Sequence, residues 1–263
     1  MYAFDFERPK TLDEAVAALA AEEAQALGGG QTLIPTLKQR LAAPSKLVSL
    51  TAIPELKGVC VADDGAVCIG GATPHRVVAE EAAAPYPTLA AMASNIGDPA
   101  VNNRGTIGGS LANNDPSACY PSAALASGAT IRTNMRDIAA DDYFQGMFAT
   151  ALEEGEIITE LRFPVPEKAA YMKFEQPASH FALVGVFVAK SADGVRVAVT
   201  GASEEGVFRW AEAEAALSSD FSADAVSGLS VDPEPMIDDL HGTPDYRAHL
   251  VRVLTARAVT AAG

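Results

Sequence analysis

An α+β architecture in two parts is the expectation for this chain. Short strand patterns and capped helices interleave from Tyr2 to Phe163. Pro164 and Pro166 then break the pattern, dividing the chain into residues 1–166 and 167–263. Beyond the break come longer apolar runs around an Asp193-Gly194 turn, then helices: a smaller unit with an antiparallel sheet of about three strands. With 263 residues, 49% apolar and 20% charged, the chain has core enough for one large domain or two ordinary ones.

Taken in order, Tyr2, Phe4 and Phe6 alternate with small or polar residues as a short strand that Pro9 ends. Thr11-Leu12-Asp13-Glu14 is a capping box, opening a helix with Leu12, Val16, Leu19 and Ala20 on one face. Gln25 to Leu27 is a strand running into Gly28-Gly29-Gly30. Leu33 to Leu41 is a helix with Pro35 in its first turn. Lys46 to Leu50 forms a strand, and Gly58–Ala62 and Ala66–Gly70 a hairpin about Asp63-Asp64-Gly65. Thr73 is expected to cap a helix with Pro74 at its first position. Thr88 to about Asn95 is helical, with Leu89 and Met92 inward. The polar stretch from Asn102 to Pro116 reads as a short strand interrupted by Gly108-Gly109, then a loop.

Pro121–Leu125 resembles a helical turn, Ala129–Arg132 a strand, Ile138–Tyr143 a helix or loop, and Ile157–Phe163 a strand. In the second part Tyr171, Lys173 and Glu175 alternate with Met172 and Phe174. Ala182–Ser191 and Val195–Thr200 complete the sheet. Helices follow at Ala211–Leu217, Ala223–Ser227 and Asp245–Ala261. The last carries Leu250, Val253, Leu254 and Arg257 at helical spacing.

The formal net charge of −15 argues against nucleic acid or an anionic membrane as the main partner. No basic and apolar leader and no apolar run of membrane-span length occur, so a cytoplasmic protein is expected. Cys60, Cys68 and Cys119 form no C-x-x-C pair, so neither an iron–sulfur cluster nor a structural zinc is expected in this chain. His75, His180, His241 and His249 lack metal-ligand spacing and read as surface, capping or packing residues.

The G-x-x-x-x-G-K-(Ser/Thr) phosphate loop of ATPases, the G-x-G-x-x-G fingerprint, H-E-x-x-H and G-x-S-x-G are all missing. Two glycine-rich stretches remain, Gly28–Thr32 and Thr106–Ser110. Each is either an ordinary tight connection or a cradle of backbone N–H donors. Two such cradles suit a ligand with two adjacent phosphates, such as a dinucleotide, with Thr32, Thr106 and Ser110 adding hydroxyls.

Gly28-Gly29-Gly30-Gln31-Thr32-Leu33-Ile34-Pro35 resembles the Ala-Gly-Gly-(His/Gln)-Ser-Leu-(Leu/Ile)-Pro motif of the FAD-binding medium subunits of molybdenum hydroxylases. Ile96 to Ser110 is similar to that family's second motif, which ends in Gly-Thr-(Ile/Val)-Gly-Gly-(Ser/Asn). Asp238 to Arg247 resembles its C-terminal signature closing in Tyr-Arg. The family includes the carbon monoxide dehydrogenase flavoprotein and the FAD domain of xanthine dehydrogenases, and the resemblance runs along the whole chain.

The resemblance implies a two-part FAD-binding domain of the vanillyl-alcohol-oxidase type over residues 1–166, followed by a smaller domain over 167–263. It implies that Leu27, Gly28, Gly29, Gly30, Gln31, Thr32, Leu33 and Ile34, with Thr106, Ile107, Gly108, Gly109 and Ser110, wrap the FAD pyrophosphate. Ile96 would lie near the flavin ring, Ile157 or Ile158 on the adenine side, and Lys173 beside the flavin; each of these also reads as an ordinary core or strand residue. Cys119 stands where the family has an FAD-contacting Asp, and a thiol accepts hydrogen bonds poorly.

The implied function is electron transfer from the [2Fe–2S] clusters of a small subunit to a final acceptor. The implied assembly adds a large molybdenum-cofactor subunit, as a dimer of heterotrimers. Among the residues themselves no candidate for a catalytic acid or base stands out. The alternative is a non-redox scaffold that has weakened or lost FAD.

Overall fold

The computed structural model describes residues 1–263 and builds three sheets. The first is a small parallel sheet. β1 (Asp5–Glu7) and β2 (Ala24–Leu27) both pair with β3 (Lys46–Ser49), and α1 (Leu12–Leu19) and α2 (Leu33–Lys38) lie between them in sequence. β1 is shorter than expected because Tyr2 and Phe4 precede it, and Phe6 on this edge strand is 55% exposed. The capping box forms one residue out of step. Thr11 accepts from the Glu14 amide at 3.2 Å, while the Glu14 carboxylate accepts from Lys10 N–H at 2.7 Å. The buried face of α1 is Ala15, Ala18 and Leu19, not Val16 and Ala20. The alanines let the helix sit close on Val48 and Ile53. α2 stops at Lys38 because Arg40 takes a left-handed conformation (φ 61°) and Leu41 finds no core.

The second sheet is antiparallel throughout. It begins with β4 (Val59–Val61) and β5 (Val67–Gly70), the expected hairpin with Cys60 opposite Cys68 as free thiols. Thr73 caps nothing: its hydroxyl donates to the Gly58 carbonyl and accepts from the Gly58 amide at 3.0 Å. α3 (His75–Glu81) starts after Pro74, and α4 (Pro87–Ser94) buries Leu89 and Met92.

The stretch from Asn102 to Pro116 is helical, where a strand and loop were expected. α5 (Pro99–Arg104) is capped by Asp98, which accepts from the Val101 amide at 2.8 Å. α6 (Ile107–Asn113) is capped by Thr106, which accepts from the Gly109 amide at 3.2 Å. Two good caps outweigh the poor helix propensity of Gly108-Gly109. α6 ends where Asn114 turns left-handed (φ 42°) and its side-chain amide donates to the Gly146 and Ala149 carbonyls, both at 2.8 Å.

α7 (Tyr120–Ser127) is buried on every side. It leads to β6 (Thr130–Thr133), β7 (Asp137–Ala139), the short α8 (Ala140–Tyr143) and β8 (Ile158–Phe163). Strand order in this sheet is β4-β5-β8-β6-β7.

The third sheet contains the three expected strands, β9 (Lys168–Glu175), β10 (Ala182–Ser191) and β11 (Gly194–Ser203), and a short fourth, β12 (Gly206–Arg209). It is buried on both faces, which explains the continuous apolar run of β10. Val184, Val186 and Val188 face α9 (Ala211–Ser219) and α10 (Pro244–Ala262), whereas Phe187 and Ala189 join the core around α4 and α7. Ala223–Val226 is a 3-10 turn, and on α10 Arg257 is exposed while Arg247 is buried.

A sealed carboxylate holds the turns that precede β8. Glu156 accepts from Thr133 Oγ1 at 2.7 Å, from Arg136 Nε at 3.1 Å and from the Glu153 amide at 2.8 Å. Burial alone would raise its pKa, but the Arg136 guanidinium and these hydrogen bonds outweigh it and hold the group at about 2. A depressed carboxylate stabilises the fold above its ordinary value of 4.5, and that contribution is lost as pH falls toward and through about 2. Glu156→Gln is therefore expected to lower the urea midpoint at pH 7, with the difference shrinking below pH 4.5 and gone near pH 2. A difference that does not change with pH would rule this out.

Candidate functional site

A cavity of about 440 Å³ opens where the first sheet meets α5, α6 and the loop before β10. Its size is in the range of small-molecule and cofactor sites. One wall is the turn between β2 and α2. The backbone N–H groups of Gly28, Gly29, Gly30, Gln31 and Thr32 donate to no backbone carbonyl. Gly28, Gly29 and Gly30 are half-buried, where amides are normally paired, while Gln31 and Thr32 are exposed; unpaired amides along a cavity wall are a donor surface open to an acceptor. The turn is held by Gln31 Nε2 donating to the Gly29 carbonyl at 3.1 Å and by the positive φ (72°) of Gly30. Gly29 is required by contact, since a Cβ there would stand 1.9 Å from the Arg104 carbonyl oxygen.

The second glycine stretch works differently from the first. Four of its five amides are already used: Ile107 donates to Thr73 O, Gly108 to Gly71 O, Gly109 to Thr106 Oγ1 and Ser110 to Thr106 O, which leaves the Thr106 amide alone without an acceptor. It is thus no second cradle of free N–H donors, because the helix and the neighbouring strand end consume them. What it offers is clearance at Gly109 and the hydroxyls of Thr106 and Ser110. Gly108 faces away, packed so closely that a Cβ would lie 2.6 Å from the Gly71 carbonyl oxygen.

The third wall is the segment Asp115–Cys119. It is pinned from below by β11, where Thr200 Oγ1 donates to the Pro116 and Ala118 carbonyls at 2.8 and 2.6 Å, and the Gly201 amide donates to Pro116 O. Cys119 is buried against the Tyr171 hydroxyl. Burial pushes its thiol pKa up, and the nearby Lys173 ammonium only partly opposes this. Ser179, His180 and Phe181 close the mouth.

Of the residues expected at the site, the cavity brings together Leu27, Gly28, Gly29, Gly30, Gln31, Thr32, Leu33, Ile96, Thr106, Gly109, Ser110 and Cys119. Ile34 packs onto Gly30 behind the turn, and Ile107 is sealed in the core. Ile157 and Ile158 are also buried, in two different apolar clusters, and line no part of this cavity. The Lys173 ammonium is only 2% exposed and lies in a neighbouring pocket of about 260 Å³ with Asn95 and Tyr171. It donates to the Asn95 carbonyl at 2.6 Å and the His180 carbonyl at 2.9 Å, tethering the mouth loop.

His75 and His180 are lining residues that sequence reasoning assigned to surface or packing, and of the two His75 is the buried one. No lining residue is Lys or Arg, and Asp115 is the one carboxylate.

Residues 2–166 match the family described as the FAD binding domain in molybdopterin dehydrogenase. The carbon monoxide dehydrogenase medium chain of Hydrogenophaga pseudoflava is 32% identical over 98% of this chain and 96% of its own. The nicotine 6-hydroxylase medium subunit of Paenarthrobacter nicotinovorans is 33% identical, covering 99% and 98%. Among solved structures, a chain of the cyanide-inactivated Cu,Mo-CO dehydrogenase superposes with a TM-score of 0.88 at 32% identity, covering 98% of this chain and 97% of that one.

Proposed function

The chain belongs to the family of FAD-binding medium subunits of molybdenum hydroxylases, and from that premise we propose that it is the electron-transfer subunit of such a complex. It would pass electrons from the [2Fe–2S] clusters of a small partner subunit to a final acceptor, beside a large subunit carrying the molybdenum cofactor, in a dimer of heterotrimers. The observation that carries this reading is the row of unpaired amides from Gly28 to Thr32 facing the cavity.

The cavity fits FAD. A pyrophosphate supplies the acceptors that those amides lack; Gly109 leaves space beside them, while Gly28 and Gly29 let the turn pack closely on Thr106 and Arg104. Thr32, Thr106 and Ser110 hydroxyls add side-chain donors, with Ile96 as the apolar contact for the ring system. Bound FAD supplies the ability to take and release electrons singly or in pairs. The chain's own residues bind and orient it and keep water from its buried face. Lys173, through the His180 carbonyl, sets the position of the mouth loop. Residues 1–166 form the FAD-binding domain and 167–263 the second domain in this reading. No helix is long and apolar enough to cross a membrane, and we place the protein in the cytoplasm.

The test is the absorption spectrum of the purified chain. Flavin bands, with FAD released on acid denaturation, are the expected result. A colourless protein that takes up no added FAD would sink the proposal. Co-purification with a cysteine-rich small chain and a molybdenum-containing large chain checks the partners.

A further inference from the structure

One buried polar side chain at the cavity is left over by this account. His75 is the first residue of α3, and its backbone amide donates to the Gly105 carbonyl at 2.9 Å, which fixes α3 to the turn between α5 and α6. The imidazole is 4% exposed, with its ring centroid 5.3 Å from that of Tyr120. Nδ1 is sealed from solvent and has no hydrogen-bond partner. Nε2 lies directly beneath the Gly105 backbone, where a Cβ on that glycine would stand 2.4 Å away. A bulkier residue at 105 would push the ring aside, so the glycine preserves the ring's place at the cavity wall.

The electrostatics of the cavity give this ring a task. A pyrophosphate entering here meets no Lys or Arg side chain, and the nearby carboxylate of Asp115 has the same sign as the ligand. Neutral donors must therefore carry the whole interaction. Burial depresses the His75 pKa to about 4, so the ring is uncharged near neutrality, with one N–H donor and one acceptor nitrogen. Because Nδ1 is shut off from the cavity, contact with a ligand has to go through Nε2.

We infer that His75 is an FAD-binding residue whose Nε2–H donates to the cofactor's pyrophosphate, supplying as a neutral group the side-chain contact usually made by a cation. This rests on the FAD reading above. An Nε2–H tautomer leaves Nδ1 as a bare acceptor in an apolar surrounding, and the hydrogen bond to an anionic oxygen offsets part of that cost.

The experiment compares FAD dissociation constants of the full chain, His75→Phe and His75→Gln, by ultrafiltration, with the apo-protein Tm of each. Phe keeps the ring packing against Tyr120 but has no donor; Gln restores an N–H on a side chain of similar reach. The expected result is about tenfold or greater weakening for His75→Phe, and recovery to within about threefold for His75→Gln. His75→Phe binding FAD as tightly as the unsubstituted chain overturns the inference. So does an equal loss in both variants that follows a lowered Tm, because that marks a packing role. If the unsubstituted chain takes up no FAD, the cofactor reading itself fails and the inference goes with it.

Discussion

Gly109→Leu is expected to give a folded chain that has lost its FAD. A Cβ at 109 meets a single neighbour within 4 Å, Thr106 Oγ1 at 2.8 Å, and beyond it the leucine side chain projects into the cavity beside the Gly28–Thr32 amides. The position lies inside α6, where replacing glycine gains about 1 kcal/mol of helix propensity. That gain offsets the adjustment at Thr106, so the apo-protein Tm should stay within a few degrees. FAD retention, by contrast, should fall below detection in the absorption spectrum, because the side chain fills the space the pyrophosphate needs. Gly29→Leu is the contrasting variant. Its Cβ would stand 1.9 Å from Arg104 O and 2.5 Å from Arg104 C, so the turn itself must break and Tm should drop together with binding. Gly109→Leu that still carries a full complement of FAD would remove this wall from the site.

These two glycines also mark how far the sequence alone reaches. Local chemistry was legible where one short signal determines the outcome: the Thr11 cap and the hairpin at Asp63-Asp64-Gly65 form, and the expected Asp193-Gly194 turn forms one residue earlier, at Ala192-Asp193, with Gly194 paired to Ser191. The 102–116 stretch misled because glycine and asparagine weigh against helix on propensity, whereas the Asp98 and Thr106 caps and packing on Gly71 decide for it. Gly28 to Gly30 was legible as a turn, but only the fold shows that its amides are unpaired while those of Ile107 to Ser110 are spent. His75 and Lys173 were illegible for a common reason. A single His, or a single Lys in an alternating strand, takes its role from residues that local pattern does not connect to it: Gly105 and Tyr120 for one, Asn95 and the loop carbonyl of His180 for the other.

Arg247→Met is expected to lower stability by about 3–5 kcal/mol, as breaking a buried charged network does. The guanidinium is 2% exposed. It donates to the Leu183 carbonyl at 2.7 Å, the Gly201 carbonyl at 2.8 Å and Asp239 Oδ1 at 2.7 Å. Those two carbonyls belong to β10 and β11 where pairing registers shift, and Gly201 is needed there both for its φ of 79° and because a Cβ would stand 2.3 Å from Ala182 O. Methionine fills a similar volume but leaves both carbonyls without this donor and the Asp239 carboxylate with only the His241 amide. For a chain of this size the loss corresponds to a fall in Tm of roughly ten degrees. The damage should reach the site. The Gly201 amide holds Pro116 O, and Thr200 holds Pro116 and Ala118, so loosening β11 loosens the wall that ends at Cys119. FAD release from Arg247→Met should therefore quicken even at temperatures where the chain remains folded. A Tm within a degree or two of the unsubstituted chain would show that the bulge carbonyls find other donors, and unchanged release would separate the sheet from the cavity wall.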